Sequence, residues 1–372
     1  TKNSGGLYRH VGEAFPGYLR DGLHIGDRAY ADVSVPKKLG LKAEHFTASS
    51  PNRYEQLIAD GQGDEPYLSL LSGCMRATRL ANPYQDSRQR AIWDYASSVA
   101  APIVILFVQW VLSQSREDGI RSLAFLARDG QIMHQVACLL AELDGSAPHC
   151  EYVYASRQAW NLPSVQNAPD DIEAWAFDDT NHMSVESFAG RVGLAASDFT
   201  DWLNDNAVAP EGNLAQHLRL TLFAFLRSRE DLHRKIEHEA AGRRRLVLDY
   251  FRRRGVFDQR GWGVVDIGWR GRLQQSLERL LKAGSAGLSV RGGYYFSLSR
   301  PVPVASPQRM FFGGRRLNRA WMEHVFAADH GSVCGFERNP RGEVSPVFQR
   351  MPEHGPFYWG VEVQHQAILH VV

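Results

Sequence analysis

The chain has 372 residues, 44% of them hydrophobic and 22% charged, and a formal net charge of +1. Such a composition belongs to a globular protein of two or three domains, and the near-zero balance argues against a nucleic-acid surface, which needs a basic excess. Four scattered cysteines (Cys74, Cys138, Cys150, Cys334) include no CxxC pair, so neither a zinc motif nor a disulfide framework is expected and a reducing cytoplasm is the simplest home.

In chain order, residues 1–45 read as helix, strand, loop and helix, with a short strand after "VPKKLGLKA". The first 22 residues lack a signal-peptide core. Residues 46–95 are polar and turn-rich and read as a connection with one helix, about Tyr67 to Leu80. "VAAPIVILFVQWVL", from Val99 to Leu112, is strongly apolar but shorter than the roughly 20 residues a membrane span needs. It is expected as a buried core helix, with no membrane span and at most peripheral association.

Four short apolar runs follow: "IRSLAFLARDG" (120–130), "EYVYASR" (151–157), "GWGVVDIGWRG" (261–271) and "RGGYYFSLS" (291–299). Helical patterns follow the first ("QIMHQVACLLAEL") and the third ("RLQQSLERLLKAG"). Strands alternating with helices predict a mostly parallel sheet with ligands at the strands' carboxyl ends. Residues 165–260 carry mainly helical periodicity, closed at Gly255, and are expected as a helical insertion. The tail from about 300 to 372 shows little periodicity and receives no assignment.

Two groups of residues carry chemistry. In "LHIGDRAYADVSVPKKLG", Leu23 to Gly40, the run Leu23–Ile25 would end a buried strand, Gly26 would allow a sharp turn, and Asp27 and Asp32 would meet at the strand's end. Two carboxylates there suit a hard cation such as Mg²⁺, which keeps waters for a phosphate partner. An ordinary strand, turn and helix is the alternative. In the second group, Arg128, Asp129 and Gly130 lie where strand passes to helix. Asp266, Gly268, Arg270 and Gly271 open the next helix in the same way, and Arg157 ends the strand between them in sequence. Helix starts and arginine forks favour phosphate oxygens, so these groups describe a pocket for a phosphorylated or nucleotide-like ligand, with Asp129 and Asp266 available for a hydroxyl or a metal. Arg128 and Asp129 serving only as a helix cap is the alternative. DIGxxG is a looser loop than a dinucleotide fingerprint.

The first pattern resembles the fourth motif of the haloacid dehalogenase (HAD) superfamily, and "TKNSGGLYRHVGEAF" looks like the segment holding that superfamily's motif-three lysine, here Lys2. The resemblance implies that Asp27 ligates Mg²⁺, that Asp32 supports the metal, and that Lys2 steadies a phosphorylated aspartate. The nucleophilic DxD element of that family has no counterpart here. Asp249 lies in a helical stretch, and Asp266 has Gly268 where the second aspartate should stand. The chain is therefore expected to be the C-terminal part of a longer hydrolase, without a nucleophile of its own.

"FLARDG", "YVYASR", "VVDIGWRGRLQ", "GYYFSL" and "EHVFAADHGSVCGF" are together similar to the region downstream of the HAD domain in predicted hydrolases of the bacterial surface-polysaccharide type. That likeness adds Gln274 and Glu323 to the expected ligand-binding set.

The expected fold class is thus α/β: a partial HAD Rossmann-like core (1–48), a linker with a helix (49–95), and a second mostly parallel α/β domain (96–372) with a helical insertion at about 165–260. The leading functional expectation is a Mg-dependent phosphatase or phosphotransfer hydrolase fragment joined to a phospho-sugar- or nucleotide-binding domain. Alternatives are a glycosyl- or phosphoribosyl-type transferase in the second domain and a non-catalytic binding module. No HExxH or other paired metal-ligand spacing occurs among the histidines. Ser156 has no GxSxG elbow, and the arginines at 243–245 and 252–254 read as a solvated helix face. Substrate and oligomeric state are not legible.

Overall fold

The structure is a computed structural model that describes residues 1–372 except 49, 64, 178–181, 259, 285–286, 314–316 and 351–358. The chain is mixed α/β and divides into two compact units, Thr1–Pro102 with Val363–Val371, and Ile103–Glu362. The boundary falls near residue 102 rather than 95, so the expected linker belongs to the first unit.

In the first unit, helix α1 (Gly6–Ala14) precedes a two-stranded parallel sheet, β1 (Leu23–Gly26) beside β2 (Lys42–His45). A small core of Tyr8, Val35 and Leu41 holds these elements together. β1 is not the buried strand expected from its composition: Leu23 and Ile25 are 50% and 55% exposed. The reason is local. Among the described residues only β2 pairs with it, and the cluster of Tyr8, Val35 and Leu41 covers neither Leu23 nor Ile25.

Residues 46–95 hold three helices where one was expected: α2 (Arg53–Ala59), α3 (Glu65–Leu80) and α4 (Ser87–Tyr95). Asn52 caps α2 by accepting from the Tyr54 and Glu55 amides, and the Glu55 carboxylate in turn accepts from the Asn52 amide. Glu55, fully buried, is held at both oxygens by Arg79 at 2.6 and 3.1 Å.

α4 continues through a π-type turn, Ala96–Ala100, into α5 (Ala101–Glu117), so the helix runs 31 residues from Ser87. Its apolar stretch is longer than the isolated run suggested. By length and composition it could cross a membrane, but 67% of that stretch is buried inside the protein, as a core helix requires.

The second unit is built on five parallel strands: β3 (Ser122–Leu126), β4 (His149–Val153), β5 (Trp262–Trp269), β6 (Val290–Leu298) and β7 (Gln308–Met310), in the order β4-β3-β5-β6-β7. The first four are the four apolar runs. β7 is a short edge strand from the unassigned tail.

β3 is buried at every residue, the pattern of a central strand covered on both faces. Alternate residues divide between the faces. Ala124, Leu126 and Val264 pack in one cluster with Val247, Phe251, Leu277 and Leu280 from the helices α10 (Glu230–Arg254) and α11 (Arg272–Gly284). On the opposite face Phe107 of α5 meets Phe296 edge-on, centroids 5.3 Å apart.

α6 (Gly130–Glu142) connects β3 to β4, and a four-residue turn of helix, α7 (Arg157–Trp160), follows β4. Between α7 and β5 the described residues are mainly helical. This stretch includes α8 (Val185–Arg191) and α9 (Gln216–Arg227) and ends in α10, capped by Gly255. It has its own core, from Leu162 and Ile172 through Phe188, Phe199 and Trp202 to Ile236 and Ala240. Beyond β7 the tail forms α12 (Arg319–Val325), an antiparallel pair β8 (Val333–Arg338) and β9 (Val344–Phe348), and α13 (Val361–Val371).

Candidate functional site

The connection from β3 runs outward to β4, and the later strands β5, β6 and β7 add on the other side of β3. The strand order therefore reverses between β3 and β5. In open parallel sheets the crevice at the carboxyl ends beside such a reversal is the ligand position, because the flanking connections leave in opposite directions. Asp129 follows the end of β3 and Asp266 lies near the end of β5. Both line one cleft of about 410 Å³, together with Arg128, Arg157, Gly268 and Arg270.

This arrangement perturbs both carboxyls. Enclosure by protein raises the Asp129 pKa to about 7, with the neighbouring Asp266 charge adding to the rise and Arg128 opposing it. Burial raises Asp266 to about 6, against the pull of hydrogen bonds from the Gly268 and Ile267 amides. Both carboxyls therefore hold a proton further toward neutrality than a free aspartate does. A proton held there can pass to or from a ligand hydroxyl or leaving oxygen.

The backbone beneath the cleft is specific. Gly268 has φ +107, and a Cβ there would lie 2.2 Å from the Ser297 carbonyl oxygen, so β5 and β6 approach at a distance only glycine permits. Trp269 follows at φ +70; its Nε1–H donates to Glu323 Oε1 at 3.2 Å, and Arg319 lies over its ring. Glu323, expected from resemblance alone, thus stands at the cleft. Trp269, Arg272, Arg319 and Ser332 also line it. Arg319, Glu323 and Ser332 come from the tail, where no periodicity pointed to a fold.

Three expected members lie elsewhere. Gln274 is fully buried, accepts from the Tyr295 hydroxyl at 2.7 Å and donates to Glu278 and the Ser306 carbonyl. It ties α11 to β6 and does not line the cleft. Gly130 and Gly271 are backbone supports: a Cβ on Gly130 would meet the Phe125 carbonyl carbon at 2.7 Å, and one on Gly271 would meet Gln308 at 2.3 Å.

Ser156 caps α7, accepting from the Ala159 amide and donating to the Val333 carbonyl, as expected for a serine outside a nucleophile elbow. Asp249 lies on α10 and pairs with Arg253 and Arg338. The arginines at 243–245 are not a uniform solvated face. Arg244 donates to the Pro163 and Val165 carbonyls, and Arg243 lines a second cleft described below.

In the first unit, Lys2 Nζ lies 2.8 Å from Asp32 Oδ1, across 30 residues of chain. Asp32 is 1% exposed. His24 Nε2 stands 2.9 Å from the same oxygen and the Arg28 amide donates to the other at 3.1 Å. The Lys2 and His24 hydrogen bonds hold this carboxyl well below the usual range. Tyr8 closes the group, its hydroxyl donating to the Ala31 carbonyl, and burial beside Asp32 pushes it up to about 12. Tyr8 and His24 were missed in the sequence because an aromatic and a histidine inside an apolar run also fit a core.

Asp27 is exposed at the end of β1, and its carbonyl accepts from His45. The residues fit Mg²⁺ only in part. Asp27 is open to a cation, but the oxygens of Asp32 are committed to Lys2, His24 and a backbone amide. Among the described residues no group of three or more His, Cys, Asp or Glu could hold a metal.

Fold and site together define a parallel α/β domain with a protonatable carboxyl pair and converging arginines at the sheet's reversal point. No protein-family model matches the chain, and no curated protein matches it.

Proposed function

We propose that residues 103–362 bind a phosphorylated sugar or nucleotide-like ligand and act on it by acid–base chemistry, and that residues 1–48 belong with a HAD-type hydrolase core. The carrying observation is the convergence of Asp129 and Asp266 with Arg128, Arg157 and Arg270 on one cleft at the reversal between β3 and β5. Arginine forks take phosphate oxygens, and the carboxyl pair exchanges a proton with the adjacent hydroxyl or leaving oxygen. The process is cell-surface glycan assembly, inferred from resemblance, and the location is cytoplasmic, inferred from the scattered cysteines.

For the first unit, the contact of Lys2 with Asp32 supports the HAD reading, since the resemblance assigns both residues to one site. There Mg²⁺ would be held through Asp27 and would neutralise phosphate charge.

A second reading, glycosyl- or phosphoribosyl-type transfer within residues 103–362, draws on the same carboxyl pair, whose raised affinity for protons suits activation of an acceptor hydroxyl. Calorimetric titration of nucleotide sugars and sugar phosphates into the chain tests both. Binding that disappears in Asp266→Asn or Arg128→Ala supports a reacting site. Unchanged binding in both variants removes it and leaves a binding module.

A further inference from the structure

Beside the acid cleft lies a second cavity of about 540 Å³, and the two share Ser156, Arg157, Arg272 and Ser332 as common wall. They are two chambers of one basin. The second chamber is rich in arginine. Arg157, Arg191, Arg243 and Arg272 all line it, and the described lining includes no carboxylate.

These arginines arrive from four separate elements: α7 after β4, α8 of the insertion, the long helix α10, and the start of α11. Arg243 is steadied by Glu239 one turn earlier, at 2.8 Å. Trp175, 7% exposed in the same wall, has a buried Nε1–H with no acceptor among the described residues. Convergence of four guanidinium groups from distant parts of the sequence concentrates positive potential in a partly closed cavity, where it acts on an anion more strongly than on an open surface.

Resting on the functional reading above, we infer that this chamber is a second anion subsite. The ligand is then elongated and carries two acidic groups: one beside Asp129 and Asp266, the other among Arg157, Arg191, Arg243 and Arg272. Diphosphate-linked or doubly phosphorylated sugars have this form, and simple sugar monophosphates do not. The division fits the charges. The acid chamber offers two proton-holding carboxyls beside its arginines, and the second chamber sets four arginines among neutral polar side chains.

The test compares fructose 6-phosphate with fructose 1,6-bisphosphate by calorimetry on the full chain at about 0.15 M salt, where loose surface attraction is screened. The bisphosphate is expected to bind about tenfold more tightly or better, the effect of one added set of charge-assisted hydrogen bonds. Arg191→Gln with Arg243→Gln should erase that advantage and leave monophosphate affinity unchanged. Arg191→Gln alone, at an exposed position, should remove part of it without risk to the fold. The control pair Arg234→Gln with Arg252→Gln, with the same loss of charge outside the basin, should preserve it.

Equal affinity for the two sugars in the parent chain overturns the second subsite and leaves the first. An advantage that survives in Arg191→Gln with Arg243→Gln, or a monophosphate affinity that falls as far as the bisphosphate affinity in that variant, overturns it as well. Failure of both sugars to bind overturns the subsite and the functional reading together.

Discussion

Replacing Asp129 by asparagine should make the second unit more stable, by an amount that grows between about pH 4 and 7 and is complete above neutrality. The carboxyl moves from an ordinary value of 3.8 to about 7 because folding encloses it next to Asp266. The folded state therefore holds a proton that the unfolded chain releases between about pH 4 and 7. The sign follows. The contribution of Asp129 is fully present below its unfolded pKa and is lost as pH rises through the folded value.

Carrying one carboxyl over that interval withdraws about 4 kcal/mol at alkaline pH. Coupling to Asp266 shares part of that loss between the pair, so the expected gain in Asp129→Asn is about 2–4 kcal/mol at pH 8.5, a rise of about 5–10 °C in Tm, and close to zero at pH 4. Urea titrations followed by tryptophan fluorescence suit the measurement, since every tryptophan but Trp93 lies in residues 103–362. A gain of equal size at both pH values, or none at pH 8.5, would refute the raised-carboxyl reasoning and with it the acid–base role.

Four further outcomes follow from the geometry. Gly268→Ala combines a strained positive φ with a Cβ 2.2 Å from a backbone oxygen, so a loss of about 3 kcal/mol or more in urea is expected, together with loss of ligand binding. Gly26→Ala would put a Cβ 2.5 Å from Asp32, and hydrogen exchange in residues 23–45 should accelerate by the equivalent of about 2–3 kcal/mol. Arg79→Ala strands the buried Glu55 carboxylate and should cost about 3–5 kcal/mol in urea, a loss that Arg79→Lys restores only in part. Lys2→Met should lower first-unit stability at pH 7 and flatten its decline on acidification, read by NMR of residues 6–45. The depressed carboxyl of Asp32 contributes above its unfolded pKa and loses that contribution as pH falls toward the folded value, and Lys2 is the largest cause of the depression.

The parts of the molecule legible in the sequence were those where chemistry coincides with a change of local structure. β3 and β5 announce themselves as apolar runs, and Asp129 and Asp266 stand at or near their ends, where side chains of parallel strands reach a crevice. Gln274 shows the opposite case. It sits three residues into α11, and only the helix's rotation relative to the sheet decides that it faces Tyr295 rather than the cleft. Arg243 was legible as a charge but not as a position, because a 25-residue helix with arginines on several faces leaves open which one turns inward. The exposure of Leu23 and Ile25 was illegible for a related reason: alternation says that a strand has an apolar side, and only tertiary packing says whether anything lies against it.

The insertion has its own core, Ile172 through Ala240, apart from the cluster beneath the sheet. The wall carrying Arg191 is consequently shaped by packing that β3 and β5 do not share. Under mutation the two would drift at separate rates. A lineage could lengthen, shorten or recharge that wall and so change which molecules are admitted, while the carboxyl pair, fixed by strands, kept its geometry.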